Sequence, residues 1–340
     1  MFLDLEQIRF IACGVTRVEQ DEDGYFRFFR FTDAQSQVYL DAGIQDFYNK
    51  SFGSAGVRLA FRTDSKRFAF HYRLKTASAR KDGWFDVYEN GVLIEHFGCP
   101  DESIREAHIE IPLQSGESEV EIYFPWTCRT DLKSVEMTDG ATLHPICRSK
   151  RMICFGDSIT HGYYALYPSL TYASHIARML DADEINKGIG GERFRSELLK
   201  EADPIPPDLI TVGYSTNDWN FITPAEFEEK CTAFYKRLTE LYPKAEIYAI
   251  SPVWRTDAEK ETPYGTPCYT VHQQMEKICE RYANVHLIRG WDLVPHVKEF
   301  YGDLWLHPND MGFGIYTENL YREIQKTKNN KNTITERKTL

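Results

Sequence analysis

Ser158 stands in GDSITHG, residues 156–162, directly after the apolar run Met152-Ile153-Cys154-Phe155. A strand that ends in Gly-Asp-Ser can hold a hydroxyl at the carboxyl edge of a sheet, where open α/β folds keep their sites. The same residue types also suit an ordinary turn. Nucleophilic chemistry therefore requires partners: a base to take the proton, a group to hold that base, and donors for the oxyanion. His307, in GDLWLHPND at residues 302–310, is the candidate base. Pro308 disfavours helical geometry at His307 and leaves the imidazole on an extended segment ahead of the last helix. His161 is a second candidate, but its closeness to Ser158 in sequence makes triad geometry harder. Donors are available in NKGIGGERF, residues 186–194, where glycine lets a carbonyl oxygen approach the backbone N–H groups closely. The run Ser215-Thr216-Asn217-Asp218 adds the fixed amide dipole of Asn217.

The elements that must position these residues change character near residue 150. Before it, GYFRFFRF, SQVYLD (36–41), GVRLAFRT, RFAFHYRL, WFDVYENGVLIEHF, AHIEIPL and SEVEIYFP alternate with period 2 and are rich in aromatic and β-branched residues. Asn90-Gly91 between two such runs marks a hairpin. About seven strands without helices predict an all-β, jelly-roll-like sandwich over residues 1–148. After it, RMICFGDS, ADEINKGIGG, DLITVGYS, EIYAISPVW and VHLIRGWDLV read as strands. Helical patterns separate them: SLTYASHIARML, ERFRSELLKEA, a segment opening at the cap Thr223-Pro224-Ala225-Glu226, residues 267–282, and Asn309 to about Gln325. Five strands alternating with helices predict an α/β domain over residues 149–327 whose parallel sheet is covered on both faces. Ser158, the 186–194 run and Asn217 follow the first three strands, so all emerge on one sheet edge. The polar tail, residues 328–340, lacks periodicity and reads as mobile.

Composition excludes several classes of function. A net charge of −11 weighs against nucleic acid as a partner, and no stretch approaches the ~18 consecutive apolar residues of a membrane span. The N-terminal MFLDLEQIRFIACG has neither a basic segment nor a continuous apolar one, which predicts a cytoplasmic protein. Eight scattered cysteines without a Cys-x-x-Cys pair favour reduced, buried thiols. The histidines include no His-Glu-x-x-His pattern for a metal hydrolase. Nothing in the sequence bears on oligomeric state.

Four ordered blocks, Gly156-Asp157-Ser158-Ile159, Gly191, Asn217-Asp218 and His307-Pro308, resemble those of the SGNH, or GDSL-type, hydrolase superfamily. The resemblance covers about residues 151–325. It implies a flavodoxin-like three-layer α/β/α domain in which Ser158 attacks an ester carbonyl and His307 serves as base and then acid. It also implies an oxyanion hole made by the N–H groups of Ser158 and Gly191 with the side chain of Asn217, no metal or organic cofactor, and loop-organising roles for Asp157 and Asp218. Two departures stand out. Ser215 occupies the place where the family usually has glycine. The family's Asp usually precedes the His by three residues; here that position is Leu304, and Asp303 lies four before. Asp303 is taken as the third catalytic residue, provided the segment turns to bring it to the imidazole; some relatives use a backbone carbonyl instead.

A β-sandwich before such a domain resembles bacterial carbohydrate acetylesterases, which implies an acetylated sugar or oligosaccharide as substrate. Trp219, Trp254, Trp305 and Tyr163 are the substrate-binding candidates, with Tyr164 beside them and Trp84 and Trp126 on the sandwich. The leading reading is a serine acetylesterase acting on carbohydrate. The alternatives are a thioesterase or lysophospholipase of longer acyl preference, and a non-catalytic carbohydrate-binding protein.

Overall fold

The computed structural model describes every residue except Glu102, Ser115, Thr339 and Leu340, with residues 330–338 described by backbone alone. In the N-terminal half two antiparallel sheets face each other. One contains strands Arg17–Gln20, Phe26–Phe29, Cys128–Met137, Arg67–Thr76 and Glu106–Pro112, in that spatial order. The other runs Ala12–Cys13, Arg58–Thr63, Ser118–Tyr123, Gly83–Glu89 and Val92–Cys99, with His144–Pro145 added beside Arg58–Thr63. Inward residues of both sheets, among them Phe68, Phe70, Leu132, Phe61, Phe85 and Val120, share one core. Asn90 and Gly91, at φ 51° and 77°, make the tight hairpin their types predict.

Three helices correct the all-β reading: Leu5–Ile11, Asp33–Asp41 and Gln45–Ser51. SQVYLD lies wholly within the second of these and is not a strand. The signal against a strand is the capping box just upstream: Thr32 Oγ1 accepts from the N–H of Gln35, whose side chain accepts from the N–H of Thr32. Strand Cys128–Met137 escapes the period-2 reading because its pairing shifts between Lys133 and Glu136, where Ser134 has φ 52°.

The C-terminal half holds five parallel strands in the order Ala182–Gly188, Lys150–Gly156, Leu209–Gly213, Glu246–Ile250, Val285–Ile288. Side-chain alternation makes the three layers. Ile153, Phe155, Ile210, Val212, Ile247 and Ala249 pack on helices Pro224–Leu241 and Val271–Cys279. Met152, Cys154, Tyr248 and Ile250 pack on helices Tyr172–Met179 and Asp310–Lys338. Two helix expectations need correction. ERFRSELLKEA contributes only the 3₁₀ turn Ser196–Leu199, and the last helix runs on from Asp310 to Lys338, through much of the tail read as aperiodic.

The halves are joined by a buried cation. Arg30, fully buried, donates from Nε to the carbonyl of Gly53 (2.8 Å), from Nη2 to that of Lys50 (2.9 Å), and from Nη1 to those of Asn186 (2.7 Å) and Gly188 (2.8 Å). Burial pushes its pKa down to about 9.

Candidate active site

Strand Lys150–Gly156 ends at Asp157, which caps the short helix Ser158–His161 by accepting from the N–H of Ile159 at 3.0 Å. Ser158 is thereby the first helical residue, and its Oγ lies 2.7 Å from Nε2 of His307. Nδ1 of His307 lies 2.6 Å from Oδ2 of Asp303. The extra residue between Asp303 and His307 is absorbed by a turn: Leu304 takes φ 57°, and Oδ1 of Asp303 accepts from the N–H groups of Trp305, Leu306 and His307 at 2.9, 2.8 and 3.1 Å. Burial raises the pKa of the Asp303 carboxyl, but the hydrogen bonds from His307 and Leu306 and the His307 charge outweigh it and hold it at about 2. An ionised carboxylate only accepts, so the proton sits on Nδ1 and Nε2 is free to accept from Ser158.

The rings of Tyr163 and Tyr164 each lie 5.6 Å from the His307 ring. Tyr163 is buried, with its hydroxyl accepting from the N–H of Ala79 in the N-terminal half at 3.3 Å.

Three loops leave the parallel sheet side by side, after Gly156, Gly188 and Gly213. The N–H of Ile189 donates to Gly156 (3.0 Å), that of Asp157 to Gly213 (3.3 Å), and the Asn217 amide donates to the carbonyl of Glu192 (3.0 Å). Gly191, at φ 93°, faces the ring of Phe47. Asp218 accepts from the N–H groups of Phe194 and Ser215 at 3.3 and 3.1 Å. Burial pushes the carboxyls of Asp157 and Asp218 up to about 7 each; the negative charge of Asp218 also raises that of Asp157. Ser215 takes φ 92° in the glycine position, a left-handed conformation that a Cβ disfavours.

His161 is not beside the nucleophile's hydroxyl as a rival base. It is fully buried; its Nδ1 accepts from the N–H of Gly190 (3.2 Å) and its Nε2 donates to the carbonyl of Trp126 (3.2 Å). Burial, with the charges of Arg30 and Lys50 nearby, keeps its pKa well below the usual range.

The tryptophans divide. Trp219 is fully buried, with Nε1 donating to the carbonyl of Thr266 at 2.7 Å, so it belongs to the core and presents no face to a substrate. Trp254 stacks on His296 (5.5 Å, 9°) and leans on Tyr301. Trp305 is 38% exposed, two residues from His307. Of the sandwich pair, Trp126 is buried and donates to the carbonyl of Ala165, while Trp84 stacks on His96. Composition alone does not point to Arg255, which is buried between Trp219 and Trp305 at 4.9 and 5.0 Å from the ring centres and donates to Thr216 and Asp257. It ties the Asn217 block to the base loop.

Solved structures resemble the chain along most of its length. A salicylyl-acyltransferase from a tetracycline biosynthetic pathway aligns with a TM-score of 0.76 at 24% identity, covering 93% of this chain and 94% of the other. A family two carbohydrate esterase from Cellvibrio japonicus aligns at 0.67 and 16%, covering 94% and 95%. One from Clostridium thermocellum, in complex with cellohexaose, aligns at 0.63 and 15%, covering 81% and 93%. At these identities the likeness establishes the fold, including the sheet-rich N-terminal half. No curated protein sequence matches the chain. The model of the GDSL-like lipase/acylhydrolase family matches residues 154–315, the span that carries Ser158, Gly191, Asn217 and His307. Those residues form a domain of the GDSL-like lipase/acylhydrolase family.

Proposed function

We propose that the protein is a serine ester hydrolase that removes small acyl groups, O-acetyl above all, from a carbohydrate. The observation that carries this reading is the continuous chain of short contacts from Ser158 Oγ through His307 to Asp303, 2.7 and 2.6 Å long. Ser158 Oγ attacks the ester carbonyl as its proton passes to Nε2 of His307, and Asp303 stabilises the imidazolium that forms. The tetrahedral oxyanion is met by the N–H groups of Ser158 and Gly191 and the amide of Asn217. Collapse expels the sugar alkoxide, which takes the proton from Nε2. Water then attacks the acyl-Ser158 ester with His307 as base, releasing the carboxylic acid and restoring the hydroxyl.

Two features support sugar as the alcohol. Trp305 is 38% exposed two residues before the base, and family two carbohydrate esterases share the fold. The intact relay favours an enzyme over a binding protein with a disabled site. Acyl transfer is a second reading, favoured by the salicylyl-acyltransferase with which the chain aligns over nearly its whole length. There an alcohol replaces water in the second half-reaction.

The deciding experiment is acetate release from a panel of acetylated oligosaccharides, run beside 4-nitrophenyl acetate and octanoate. Hydrolysis of acetyl esters, lost by about 10⁶-fold in Ser158→Ala, is the expected result. Preference for octanoate would replace the acetyl reading with a longer-chain one. Turnover only with an added alcohol acceptor would make the protein a transferase.

A further inference from the structure

The loop that carries Gly191 is gripped from behind by the N-terminal half. Lys50, on helix Gln45–Ser51, is buried, and its Nζ donates to the carbonyl oxygen of Gly190 at 3.0 Å. That carbonyl and the N–H of Gly191 are the two ends of one planar peptide unit. A cation on the carbonyl end draws electron density toward the oxygen and leaves the N–H a stronger donor, the cooperative effect that links hydrogen bonds in series. On its other side the ammonium meets the mostly exposed carboxylate of Asp46 at 2.5 Å, and the Phe47 ring centre lies 5.4 Å away. Phe47 also faces Gly191, so one short helix supplies both the charge behind the peptide and the wall beside it. The unit is fixed in other directions as well. The N–H of Gly190 donates to His161, and Arg30 holds the carbonyls of Asn186 and Gly188.

We infer that Lys50 is a positioning residue of the active site, which orients and polarises the Gly190–Gly191 peptide so that the Gly191 N–H stabilises the oxyanion. The inference rests on Gly191 being an oxyanion donor, as set out under the proposed function. It also gives the N-terminal half a part in the chemistry besides any part in holding substrate. The ground-state carbonyl of a bound ester makes weaker demands on this donor than the oxyanion does, so the effect belongs to kcat more than to KM.

The test compares wild type, Lys50→Met and Lys50→Arg by ester kinetics and by the amide proton shift of Gly191 in glycine-labelled protein. Lys50→Met is expected to lower kcat about tenfold, a fraction of the loss on removing an oxyanion donor itself, with KM changed less than twofold. The Gly191 amide proton should move upfield, and Lys50→Arg, which can still donate to the Gly190 carbonyl, should restore both values. An unmoved Gly191 amide in Lys50→Met, or equal kcat losses in both variants, would overturn the inference. If wild type cleaves no ester at all, the hydrolase reading falls, and the amide shift alone then decides whether Lys50 polarises this peptide.

Discussion

Oδ2 of Asp303 lies 2.6 Å from Nδ1 of His307 although the two residues are four apart in the chain. The turn at Leu304, φ 57°, makes the contact possible, and three backbone N–H groups donating to the other carboxylate oxygen keep it in place. Asp303→Asn should keep the fold of this loop but lose the ionised acceptor. We expect kcat to fall by about 10²–10⁴ with little change in KM. Near-wild-type turnover would show that something other than this carboxylate holds His307.

The two tryptophans on either side of Arg255 should behave in opposite ways. Trp219→Ala empties a fully buried site and strips the carbonyl of Thr266 of its donor, at a cost of about 3–5 kcal/mol in urea unfolding. Trp305→Ala should change stability by less than about 1 kcal/mol and raise KM for oligosaccharide esters while sparing 4-nitrophenyl acetate. A KM effect from a conservative Trp219→Phe replacement would contradict its placement in the core.

Ser215 carries a Cβ at φ 92°, where glycine is the unstrained choice. Ser215→Gly is expected to raise stability by about 1 kcal/mol, because the relief of a left-handed L-residue exceeds the extra chain entropy of glycine. The Asp218 bond to the N–H of residue 215 is unaffected by the change, so kcat should hold. Lower stability in denaturant titration would mean that the serine side chain contributes more than its backbone costs.

Asp157 binds its proton more tightly in the folded protein than in the unfolded chain, about 7 against about 4. The native state therefore holds more protons between those values, and stability from this group is present at low pH and lost as pH rises through that window. Asp157→Asn keeps the acceptor for Ile159 and removes the titration. Its unfolding free energy should fall less steeply from pH 4 to 7 than that of wild type, by up to about 1.4 kcal/mol per pH unit. Parallel curves would show that the buried carboxyl is not protonated. Asp303 has the opposite sign: its contribution is present above about pH 4 and fades as pH falls toward 2.

Much of this site was legible from local chemistry. Five apolar strands alternating with amphipathic helices dictate a covered parallel sheet, and such a sheet delivers Ser158, Gly191 and Asn217 to one edge, as the strand order confirms. The Thr223–Glu226 capping box predicts its helix for the same reason: it acts over four residues. Tertiary structure decided whatever depends on residues far apart in the chain. Trp219 and Trp305 have the same side chain, and only packing buries one and exposes the other. Gly190 is held by Lys50 from 140 positions away, and Asn186 by Arg30 from 156. No periodicity or motif encodes such bonds, because a buried cation finds its carbonyl partners only after the sandwich and the parallel sheet have packed together.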